Sequence, residues 1–87
     1  MAKIEVYPDS YYAFECPGCG YLHAFDKRWT FNGDFDRPTF APSLLCDKDD
    51  PTRRCHLFVR DGKIEFLDDC HHPLKGLTVD MVEMLDG

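Results

Sequence analysis

Residues 55–73, CHLFVRDGKIEFLDDCHHP, carry the reading that decides the fold. Apolar alternation flanks Asp61-Gly62, a dipeptide suited to a tight turn, so the stretch reads as two short strands folded back on one another. Metal-type side chains sit at both open ends: Cys55 and His56 where the hairpin begins, and Cys70, His71 and His72 where it finishes. If the second strand runs on to residue 72, Cys70 and His72 project from one face and can grip one ion between them. Pro73, which has no N–H to donate, ends that strand. The partner from the first strand depends on register, because a slip of one residue exchanges the two faces. A two-residue loop sets Val59 opposite Ile64 and puts Cys55 on the face of Cys70. A three-residue loop with a left-handed Gly62 sets Phe58 opposite Ile64 and gives that place to His56. Both registers are open at the level of sequence.

Toward the N-terminus, Lys3 to Tyr7 alternate as a half-buried strand does, and Pro8-Asp9-Ser10 reads as a turn. Tyr11 to Glu15 and Tyr21 to Phe25 form a second pair of aromatic-rich strands around Cys16-Pro17-Gly18-Cys19-Gly20. Cys-x-x-Cys closed by glycine lets the backbone fold tightly about a metal, with amides free to donate to the thiolates. A redox Cys-x-x-Cys usually opens a helix in a βαβ unit, and strand-like flanks argue against that here.

Between these pairs, residues 28–43, RWTFNGDFDRPTFAPS, hold a turn at Asn32-Gly33-Asp34 and a polar set of Asn32, Asp34, Arg37, Thr39 and Ser43. Their chemistry alone fits a loop whose side chains cap its own backbone. Residues 47–54 are the most polar stretch, and Cys46 before them reads as a small buried residue. Beyond the hairpin, residues 77–85 suit a last strand or a short amphipathic helix, with spacing slightly better for the helix. The architecture expected is mainly β: a single small antiparallel domain, residues 1–87, of six to eight short strands clamped by zinc.

A chain of 87 residues is near the size where an apolar core alone gives marginal stability and a metal often supplies the rest. The net charge of −6, with no basic cluster longer than Arg53-Arg54, argues against nucleic acid or an anionic membrane as partner. No apolar stretch approaches the roughly 20 residues needed to cross a bilayer, and the first residues have no signal core, so a cytoplasmic location is expected. Five cysteines in a reducing compartment point to metal ligation before disulfides.

Thiolates with imidazoles favour zinc over hard cations. The candidate ligands are Cys16, Cys19, Cys70 and His72, with Cys55 or His56 as a further donor; His23 and His71 have weaker claims. Four ligands close a structural site, whereas three leave a position for catalysis, and the count of donors does not decide between them. Asp68 and Asp69, next to the expected metal, could orient a ligand imidazole, act as a base, or simply solvate a strand end. No HExxH helix, GxSxG elbow or phosphate loop is present.

CPGCG, then WTFNGDFDRPTFAPS, then CHLFVRDGKIEFLDDCHHPLKGLTV, resemble a family of small Cys/His proteins common in tailed phages and encoded beside bacterial ubiquitin-like conjugation genes. The resemblance runs from Phe14 to Val79 and falls on Cys16, Cys19, Trp29, Asn32, Gly33, Arg37, Pro38, Thr39, Pro42, Ser43, Cys55, His56, Gly62, Cys70, His72, Gly76, Thr78 and Val79. His71 and Pro73 depart from it. The conjugation-linked branch looks like a zinc peptidase that trims or removes a ubiquitin-like protein, and the resemblance therefore implies a protein substrate of that kind. On that reading His56 and Asp69 handle protons and Arg37 assists as an electrophile. A structural zinc module that binds another protein without catalysis is the alternative expectation.

Overall fold

The computed structural model describes residues 2–8 and 11–84. The turn expected at residues 8–10 and the end of the segment expected at 77–85 therefore lie partly outside the described residues. Two antiparallel sheets face each other, and the described residues form no long helix between them. The first has the order β1-β2-β3, from β1 (Glu5–Tyr7), β2 (Tyr11–Glu15) and β3 (Leu22–Phe25). The second has the order β4-β5-β6-β7-β8, from β4 (Thr30–Phe31), β5 (Phe40–Cys46), β6 (Cys55–Arg60), β7 (Lys63–Phe66) and β8 (Thr78–Asp80). No helix among the described residues is long and apolar enough to cross a membrane.

The hairpin takes the two-residue loop. Val59 pairs with Ile64 and Arg60 with Lys63, while Asp61 at φ 51° and Gly62 at φ 75° make the left-handed pair that such a turn demands. Gly62 is needed for a second reason: a Cβ there would stand 3.2 Å from Arg37 Cα. Alternation along β6 then sends Cys55, Leu57 and Val59 inward, each fully buried, and leaves His56 half-buried on the other face.

The core lies between the sheets. Phe25 of β3 stacks on Phe40 of β5 with ring centroids 4.1 Å apart, and Phe31 stacks on the same ring at 4.7 Å. Leu44, Leu57, Val59, Ile64 and Phe66 complete it from the second sheet. Burial of several aromatic and branched side chains, each worth about 1.5–3 kcal/mol, is the main apolar contribution.

Two expectations change. The last segment is a strand, β8, paired with β7 through Ile64 and Val79. The partner strand, which local spacing does not contain, outweighs a short run of helical periodicity. In addition, β7 stops at Phe66, so Cys70 and His72 lie in the following turn and not on a continued strand. The loop 32–39 does cap itself: Asn32 Oδ1 accepts from the amides of Asp34 and Thr39, each at 3.1 Å, and Asp34 Oδ1 from Asp36 and Arg37 at 2.9 and 3.0 Å. The loop docks on the hairpin turn, where the Asp61 amide donates to Thr39 Oγ1 at 2.8 Å and the Gly62 amide to Pro38 O at 3.0 Å.

Candidate active site and metal centre

The outer face of β5 and β6 is shaped by an irregularity. From Phe40 to Leu44 β5 advances four residues while its partners on β6 run from Val59 to Leu57, only two, so the segment Ala41-Pro42-Ser43 bulges. Pro42 has no amide for a ladder, and an interior strand accommodates it at such a bulge. Bulges re-aim side chains. Here the Ser43 hydroxyl is delivered to 3.1 Å from His56 Nε2, while the Ser43 carbonyl takes the Trp29 indole N–H at 3.2 Å.

Past β7 the turn lies along the start of β6, held by the Leu67 amide on His56 O and the His71 amide on Arg54 O, both 2.9 Å. That places the Asp69 carboxylate 3.2 Å from His56 Nδ1. A carboxylate at Nδ1 fixes the proton on that nitrogen and leaves the Nε2 lone pair to accept from Ser43 Oγ–H. Serine, imidazole and carboxylate are thus in line, half-buried at Ser43 and His56 and exposed at Asp69. The order along the chain, Ser43 then His56 then Asp69, is of no chemical consequence, because geometry defines a triad.

On the inner side of the same strand lies a sulfur cluster. Cys16, Cys19, His23 and Cys55 bring four ligand atoms within 4.8 Å of one another. Cys16 Sγ and Cys55 Sγ are 3.9 Å apart. The knuckle forms as its sequence suggests: the Cys19 amide approaches Cys16 Sγ at 3.4 Å, and the Gly20 amide closes on Cys16 O at 2.8 Å with φ +81° at Gly20. His72 packs over it so closely that a Cβ on Gly18 would lie 2.3 Å from its ring; its Nε2 is 3.6 Å from Cys55 Sγ. The hydrogen bond with Cys55, opposed by burial, brings Cys16 down to about 3, and the shared proton pushes Cys55 up. Burial would lower His23, yet the Cys16 and Cys46 sulfurs raise it to about 10. His23 Nε2 and His72 Nδ1 are buried without a hydrogen-bond partner. Such nitrogens are costly unless something binds them, and with three thiols converging, the donor set suits a metal ion.

Of the residues expected from the sequence, His56 and Asp69 meet, and Cys16 and Cys19 join the cluster. Cys70 instead contacts the His56 backbone, donating to its carbonyl at 3.0 Å and accepting its amide at 3.2 Å. It also stands near Cys55 and His72. Arg37 joins neither group: its guanidinium pairs with Asp61, Nε to Oδ1 at 3.1 Å, past the end of β6 opposite to His56. Spacing does not single out Ser43 or His23; the structure sets Ser43 beside His56 and brings His23 and Cys55 together with Cys16 and Cys19. The signal for Ser43 was a proline inside a strand.

The family model for BubE, described as bacterial ubiquitination-like system serine protease, matches residues 2–67. The chain belongs to this family. No curated protein and no solved structure is significantly similar to it. Membership supports the association with a bacterial ubiquitin-like system and a protease with a protein as substrate or partner. It overturns the expected zinc-dependent peptidase, because the family is one of serine proteases, and it does not favour a module without catalysis. The match includes Ser43 and His56 and ends two residues before Asp69.

Proposed function

We propose that this BubE-family chain cleaves a protein substrate in a bacterial ubiquitination-like system by serine chemistry, with Ser43 as nucleophile, His56 as general base and Asp69 as its orienting carboxylate. The observation that carries the reading is the hydrogen-bonded chain from Ser43 Oγ through both nitrogens of His56 to Asp69. Of the two serines in the sequence, Ser10 and Ser43, Ser43 is the one that lies among the described residues. Its oxygen attacks the scissile carbonyl carbon as His56 Nε2 takes the hydroxyl proton. The imidazolium, stabilised by Asp69 at Nδ1, then gives that proton to the leaving amine. Water, deprotonated by the same nitrogen, releases the acyl group from Ser43. Arg37, tied to the hairpin turn, has no step in this scheme.

The cluster is proposed as a structural zinc site of Cys16, Cys19, Cys55 and His23. Zinc held there would supply cross-linking of the sheets and not Lewis acidity, because four protein donors fill a tetrahedral ion. Cys16, Cys19 and His23 come from the first sheet and its knuckle, and Cys55 from the second.

An inhibitor profile tests the proposal. With a bacterial ubiquitin-like protein extended at its C-terminus as substrate, a fluorophosphonate should stop cleavage. Replacing zinc by cobalt should leave the rate within about threefold, since a closed site takes no part in the reaction. Cleavage that ignores the fluorophosphonate but changes strongly with the metal would refute it.

A further inference from the structure

We infer that Cys70 is a positioning residue for His56 and not a ligand of the metal centre. The inference rests on the reading of Ser43, His56 and Asp69 as catalytic. Cys70 is buried, 5% exposed, and its sulfur meets the backbone of one residue twice, giving S–H to His56 O at 3.0 Å and taking His56 N–H at 3.2 Å. A sulfur that donates to a carbonyl carries its proton. A metal-bound thiolate has none, and would face the lone pairs of that oxygen at the same distance. The contact with the carbonyl therefore separates a thiol clamp from a zinc ligand, even though Cys70 lies within ligand distance of Cys55 and His72.

The clamp acts on two members of the triad at once. It holds both peptide groups that flank His56, and its own backbone neighbour is Asp69. The turn that carries both is short and tied down, with the Cys70 amide on Leu67 O at 3.2 Å and the Leu67 amide on His56 O at 2.9 Å. Asp69 is exposed, so little other packing holds its carboxylate at Nδ1. Loss of the thiol would let the turn drift from β6 and lengthen the bond from Asp69 to His56 while leaving Ser43 where β5 puts it.

The test is the rate at which a fluorophosphonate labels Ser43 in the full-length, metal-loaded protein, resolved into a maximal rate and a half-saturating reagent concentration. Cys70→Ala should lower the maximal rate about 10- to 100-fold, the scale of a small misplacement of catalytic groups, with the half-saturating concentration within about twofold. Cys70→Ser, which keeps a donor and an acceptor, should recover most of the rate. Both variants should hold as much zinc as the wild type. Loss of zinc from either makes Cys70 a ligand and overturns the inference, as does an unchanged maximal rate in folded Cys70→Ala. If Cys70→Ala does not fold, zinc content and rate of Cys70→Ser decide in the same terms. A wild type that is not labelled at Ser43 removes the catalytic reading itself and this inference with it. A labelled wild type matched by an equally reactive Cys70→Ala removes this inference alone.

Discussion

Ser43→Ala should reduce cleavage by roughly four to six orders of magnitude, the loss found when a triad nucleophile is deleted and only binding and polarisation remain. Stability and metal content should barely change. The side chain lost is one hydroxyl on the half-buried outer face of β5, and its partner there, His56, keeps its bond to Asp69. The sulfur cluster is on the other side of β6 and has no bond to Ser43. His56→Ala should cost nearly as much, and the double variant little more than either, because nucleophile and base act as one unit. Cleavage by Ser43→Ala within about tenfold of the wild type would leave the serine without a chemical role.

Removing the zinc proposed for the sulfur cluster should have an equally large effect of a different kind. A strong chelator is expected to abolish cooperative unfolding, and with it activity, because zinc in a small domain contributes about 10–16 kcal/mol of apparent binding energy. That is comparable with the whole stability of a domain, about 5–15 kcal/mol. The position of the cluster explains why. A metal there would tie the knuckle between β2 and β3 to the first residue of β6, so its loss would weaken the hold of the first sheet on the second and leave three thiols and the His23 imidazole without their common partner. Cys55→Ser should mimic chelation, whereas Cys46→Ser, outside the groups of clustered donors, should not. Calorimetry with metal analysis checks both; a chelated protein that still unfolds cooperatively near the wild-type temperature would show that the cluster is not a folding centre.

What could be read from the sequence was what depends on near neighbours. The hairpin at Asp61-Gly62, the knuckle at Cys16 to Gly20 and the aromatic strands around it all follow from local turn chemistry and alternation. The pairing of His56 with Asp69 was within reach because a hairpin brings its ends together. Ser43 was not, since its place depends on a bulge in β5 measured against β6, a register that no local pattern encodes. The setting of Cys70 was not legible, because β7 ends at Phe66 and the sulfur lies against the His56 backbone instead of on a continued strand face. Arg37, given its role by resemblance alone, pairs with Asp61, and the polar crowding around it is the self-capping that its chemistry suggested, together with the docking of the loop on a turn.

In the proposed chemistry Ser43 is the nucleophile and His56 activates it. Peptide-level mass spectrometry after fluorophosphonate treatment tests this most directly. The wild type should carry a single adduct, on Ser43, and His56→Ala, folded and with its metal in place, should carry almost none. An adduct on another residue, or equal labelling of Ser43 in His56→Ala, would contradict the account.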